Sequence, residues 1–125
     1  MNIHPTAIVS PDAKLADDIV VGPGVIIGER VEIGSGCVLQ ARAVIESDTS
    51  IGSGNTIGYG AVIGAAPQDY AHTAEIRSSV VIGNNNRIRE YATIHRGTKE
   101  GTVTRIGDKC FLMVGVHVGH NCEIS

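Results

Sequence analysis

The chain is 125 residues long, enough for one domain, and 42% of it is hydrophobic, yet it has no Trp, one Phe and only 3% aromatic residues. A core without large rings is narrow and aliphatic, which excludes a roomy globule, and sixteen glycines point the same way. The net charge of −3 is too small to select a partner class, and no stretch approaches the roughly 18 apolar residues of a membrane span.

The opening MNIHPTAIVSPDAK lacks a basic start followed by an apolar run. A cytoplasmic protein with no membrane insertion and no nucleic-acid partner is expected. From Ile3 an aliphatic residue then recurs at every sixth position: Val9, Leu15, Val21, Ile27, Ile33, Leu39, Ile45, Ile51, Ile57 and Ile63. Glycine follows six of these eleven residues. Period six fits no helix of 3.6 residues per turn and is too long for strand alternation, but it fits a short strand followed by a corner. The repeated aliphatic points inward. The residue four places on fills the corner from inside, and it is small at Ala7, Ala13, Ala43 and Ala61. Cys37, Cys110 and Cys122 share that place, so interior packing explains all three thiols better than a disulfide or a metal. Three hexads close a triangular turn of 18 residues, and stacked turns give an all-β architecture, the parallel β-helix.

The count breaks twice. Between Ile63 and Ile82 the sequence is polar, which predicts a loop over about 65–79. The register returns at Ile88 and Ile94. It then meets Glu100 in RGTKEGTVT, and since a carboxylate does not belong in so tight a core, a second excursion is predicted over 97–105. Ile106, Leu112, Val118 and Ile124 resume the series, so residues 1–125 form one coil domain with two excursions. Residues 84–110 carry six basic and three acidic side chains. They make either a landing surface for an anionic partner or a solvated face.

His117 precedes inward Val118 and points outward, and His120 sits at the corner beyond it. If the second excursion completes no side of the triangle, Ile94 lies directly beneath Val118. His95 then lies one rung below His117 and His120. Three imidazoles on one outer edge suit a general base for a sugar hydroxyl or amine, and zinc ligation is the rival use of the same rings.

The stretches HPTAIV, GAAPQD (64–69), NRIREYATIHRGT (86–98) and LMVGVHVGHNC (112–122) resemble the acyl-carrier-protein-dependent UDP-N-acetylglucosamine O-acyltransferases of lipid A synthesis. The resemblance implies a left-handed coil, a hand that periodicity does not give, because most parallel crossovers are right-handed. It further implies that His120 is the general base and that His117, His95, Gln68 and Asp69 bind substrate. The acyl donor would ride on the phosphopantetheine of acyl carrier protein, with Arg87, Arg89 and Arg96 as its contacts. No bound cofactor or metal is implied, and the partners are acyl carrier protein, UDP-N-acetylglucosamine and two further copies in a homotrimer. A C-terminal helical domain of the family is absent, so the chain reads as truncated at Ser125. Two positions depart from the family pattern, Ala71 in place of a Lys and Asn121 in place of an Asp. Other readings are acyl transfer to an amino sugar or from acetyl-CoA, a zinc-dependent γ-type carbonic anhydrase, and a non-catalytic structural β-helix.

Overall fold

A computed structural model of the chain describes residues 2–65, 78–97, 100–119 and 123–124. The described residues form eighteen strands of two to four residues and no helix. Every strand contains one member of the sixfold aliphatic series, from Ile3 to Ile124.

The first sheet stacks β1 (Asn2–Ile3), β4 (Val20–Val21), β7 (Val38–Leu39), β10 (Thr56–Ile57), β13 (Arg87–Ile88) and β16 (Phe111–Leu112). The second stacks β2 (Ile8–Val9), β5 (Ile26–Ile27), β8 (Val44–Ile45), β11 (Val62–Ala65), β14 (Thr93–His95) and β17 (His117–Val118). The third stacks β3 (Lys14–Leu15), β6 (Val31–Ile33), β9 (Thr49–Ile51), β12 (Ser79–Ile82), β15 (Val103–Ile106) and β18 (Glu123–Ile124). All pairings are parallel, and consecutive strands fall on consecutive sheets. The chain therefore winds a three-sided prism of six rungs, a left-handed parallel β-helix.

Packing follows from that register. Ile27 stacks on Ile45 and Ile45 on Ile63 down the inside of one sheet, and all three are fully buried, each worth about 1.5–3 kcal/mol. Ile3, on the first rung, has a neighbour on one side only and stays 36% exposed. Partners are 18 residues apart in the lower rungs. The spacing rises to 31 between the third-rung and fourth-rung corners and to 24 one rung higher, as the two excursions require.

The inside of the corners holds more than small aliphatics. Leading into the first sheet, Ile19, Cys37, Asn55 and Asn86 are fully buried in one column, with Cys110 half-buried above them. Asn55 Nδ2 donates to the Gly83 carbonyl (2.9 Å), and Asn55 Oδ1 accepts the Asn86 amide (2.9 Å). Asn86 repeats the pattern with the Gly107 carbonyl (2.8 Å) and the Cys110 amide (2.7 Å). Each side chain thus satisfies backbone groups of the rung above, which is the condition for keeping amides in an apolar core. Cys37 Sγ lies 3.0 Å from the Gly52 carbonyl, an interior thiol as expected, while Cys122 lies outside the described residues.

Both excursions emerge from the corner between the second and third sheets. Of the first, residues 66–77 lie outside the described set, and the flanking strands run through Ala65 and begin at Ser79. The second is shorter than predicted, because residues 103–105 belong to β15 rather than to a loop. Thr104 pairs with Val80, and both are fully buried, so the inner column Val31–Thr49–Val80–Thr104 continues past both excursions. A hydrophobic period cannot register threonines as inner residues, which is why the expected loop ran too far.

Candidate active site

The outer face of the second sheet is a column of residues in register: Ile8, Ile26, Val44, Val62, Thr93 and His117. It is aliphatic over four rungs and then turns polar, ending on an exposed imidazole. The stacking of Val118 on Ile94, inferred from the hexad count, is observed.

His95 and His117 meet as that stacking requires. Their ring centroids are 4.8 Å apart with planes at 88°, an edge-to-face pair. His95 is only 9% exposed, whereas His117 faces outward. Alternation alone points both rings out of the coil, so the burial of His95 differs from expectation. The cause is local: Gly64 forms a bulge between Ile63 and Ala65, and His95 pairs with Ala65 beside the root of the first excursion. His117 Nδ1 lies 2.7 Å from Thr93 Oγ1 on the rung below. The hydroxyl serves as donor or acceptor, so either tautomer is held in one ring orientation with Nε2 directed away from that bond.

The two excursions are tied together at their roots. Ser78, where the chain re-enters the coil, donates its hydroxyl to the Gly97 carbonyl at 2.6 Å. Arg96 donates its amide to the Ala65 carbonyl (2.8 Å) and its Nε to the Gly64 carbonyl (2.8 Å). Its terminal nitrogen lies 3.7 Å from Asp48, which also receives a forked pair of bonds from Arg30 (2.7 and 3.3 Å). The Asp48 hydrogen bond holds Arg30 above its ordinary pKa, in the charged form.

Arg96, expected as a carrier-protein contact, directs its donors into the chain instead. Its side chain is 14% exposed, and its donors face backbone and carboxylate of the same chain. Arg87 and Arg89 are exposed, but Arg87 stands on the first sheet, and Arg89 follows it, forked onto Glu90 (3.0 and 3.2 Å) and set 5.9 Å over the Phe111 ring. That bond holds the Glu90 carboxyl below the usual range. Residues 84–110 run more than once round the prism, so their cations are spread over all its sides instead of forming one patch. Arg105, for example, is on the third sheet. His120, Gln68 and Asp69, with Ala71 and Asn121, lie outside the described residues. Among the described residues, no three His, Cys, Asp or Glu side chains converge as a metal site would require.

Sequence reasoning missed Asp48. A short acidic residue at a turn reads as ordinary corner chemistry. The one available signal was that Arg96 directly follows His95.

Comparison with known proteins agrees with the motifs. The family model of bacterial transferase hexapeptide (six repeats) matches residues 30–65. Over 62 residues, half of this chain and 22% of the relative, the sequence is 55% identical to acyl-[acyl-carrier-protein]–UDP-N-acetylglucosamine O-acyltransferase of Synechocystis. The solved UDP-N-acetylglucosamine acyltransferase of Francisella novicida superposes with a TM-score of 0.95 at 45% identity, covering 98% of this chain and 45% of that one. The Moraxella catarrhalis enzyme gives 0.94 at 44%, with 99% and 48% covered. The chain thus spans just under half the length of these solved structures. Perosamine N-acetyltransferase of Caulobacter crescentus, 22% identical with a TM-score of 0.69, shares the fold alone. By motif, sequence and coil geometry alike, the chain is similar to just under half of the solved UDP-N-acetylglucosamine acyltransferases.

Proposed function

We propose that the protein carrying this chain transfers a 3-hydroxyacyl group from acyl carrier protein to the 3-hydroxyl of UDP-N-acetylglucosamine, the first step of lipid A synthesis. The observation that carries this reading is the edge-to-face His95–His117 pair at the root of both excursions, in a chain about half identical over half its length to named acyltransferases. In the reaction, His120 takes the proton of the sugar hydroxyl as the oxygen attacks the thioester carbonyl. A C–O bond forms, the C–S bond breaks, and the phosphopantetheine thiol leaves with the proton. His117, oriented by Thr93, and His95 behind it line the acceptor side, and Gln68 and Asp69 are further substrate-binding residues.

The protein works in the cytoplasm as a homotrimer without a bound cofactor. Arg87 and Arg89 are its contacts for the acidic carrier, whose approach their charge would speed. The aliphatic outer column from Ile8 to Val62 is the surface suited to a neighbouring copy.

The test is acyl transfer from a 3-hydroxyacyl carrier protein to UDP-N-acetylglucosamine by the full-length protein, with His120→Ala and His117→Ala. Turnover should fall about 100-fold or more without the base and less without His117. Undiminished transfer by His120→Ala would overturn the reading.

A further inference from the structure

We propose that Arg96, held by Asp48, is a positioning residue that fixes the backbone bulge against which His95 is seated, and through it the orientation of the His95–His117 pair. The inference rests on the acyl-transfer reading only for its consequence in turnover.

The bulge has a reason to move if released. Gly64 has φ = 84°, and a Cβ there would run into Thr49 Oγ1 and come within 3.1 Å of the Ser47 carbonyl, so this backbone is pressed onto the rung below. Its carbonyl has left the strand ladder and is taken by Arg96 Nε (2.8 Å), while the Arg96 amide holds the next carbonyl, that of Ala65 (2.8 Å). One residue thus bonds both sides of the bulge, and it is the residue directly after His95. The arginine is in turn placed by charge. The side chains of Arg96 and Asp48 are 14% and 13% exposed, and Asp48 is shared with Arg30, whose amide is held by Asp12 (3.0 Å). This ladder of alternating charge climbs the corner from the first rung to the bulge. It also holds two residues in a conformation that L side chains disfavour, Arg30 at φ = 55° and Asp48 at 56°. Other corners meet the same turn requirement with glycine, at Gly36 and Gly54, and with Arg42, Asn85, Tyr91 and Lys109. What sets this corner apart is the Arg96–Asp48 pair, shielded from solvent and joined directly to the bulge carbonyl.

The experiment compares imidazole NMR resonances of the 15N-labelled chain in Arg96→Lys, Asp48→Asn and the control Glu32→Gln, which disrupts an exposed ion pair on the third sheet. Arg96→Lys keeps the charge facing Asp48 but lacks the planar Nε–H that reaches Gly64. The ring-current-shifted signals of His95 and His117 should move in both ladder variants and stay in place in the control, with His4 unmoved throughout. Unchanged His95 and His117 signals in folded Arg96→Lys would overturn the proposal whatever Asp48→Asn does. Unfolding of both variants would overturn it too, since positioning requires a coil that stands without the contact. In the full-length protein, Arg96→Lys should lower kcat about 10- to 100-fold with KM for the acceptor little changed. Moved resonances with kcat intact would also overturn it. Absence of turnover in the unsubstituted full-length protein would instead count against the acyl-transfer reading and leave the resonance test standing.

Discussion

Two corners of the same prism have opposite fates. The corner leading into the first sheet is closed on every described rung, and its inner column passes from Ile19 and Cys37 to the linked amides of Asn55 and Asn86. The corner between the second and third sheets is opened on two successive rungs, yet its inner column from Val31 through Thr49 and Val80 to Thr104 is unbroken. An excursion is tolerated where the inner residue on its far side still lands on the one below. Where buried amides link each rung to the next, the backbone has no such latitude, because any added residue would separate an amide from its carbonyl.

The comparison breaks most severely at Asn86. Replacing it with Ala removes a donor to the Gly107 carbonyl and an acceptor for the Cys110 amide, leaving two partly buried groups unpaired. The expected loss is about 2–5 kcal/mol by chemical denaturation. At the open corner, Gly64→Ala places a side chain at φ = 84° against Thr49 and should cost about 1–3 kcal/mol, measured the same way.

Acid sharpens the comparison through one aspartate at each corner. Asp12 is held below the ordinary range by the Arg30 amide and the Ser10 hydroxyl, and Asp18 by the Ser35 hydroxyl and the Gly36 amide. Because the folded pKa values are depressed, their stabilisation is complete above the unfolded value of about 3.9 and is lost as pH falls through the folded ones. The denaturation midpoint should therefore be flat near neutrality and decline below about pH 4, with a smaller decline in Asp12→Asn or Asp18→Asn. The smallest effect belongs to the exposed Lys14–Glu32 pair at 3.8 Å, where Lys14→Ala should change stability by no more than about 0.5 kcal/mol.

What could be read in advance follows from what repetition encodes. All eighteen strands sit on the sixfold aliphatic series, since one inward residue per side is the strongest demand of a narrow prism. The stacking of His95 under His117 followed from counting hexads alone. The polar inner residues did not show. Asn55, Asn86 and Thr104 have no hydrophobic signature, and their burial depends on carbonyls in other rungs, 28 residues away in the case of Asn55 and Gly83. The same holds for Arg96, read as a surface cation because its partners Gly64 and Asp48 are distant in the chain. Composition could reveal a positive segment, but not that the segment wraps all the way round.

The unequal circuit lengths bear on how the protein assembles. A rung is stabilised only by stacking on a neighbouring rung, and most circuits here are 18 residues, against 31 for the one carrying the first excursion. By chain statistics that longer closure costs only about 0.5 kcal/mol more. Winding can thus begin on either side of the excursion and join across it at little entropic expense, which leaves evolution able to rewrite the excursion without slowing the coil.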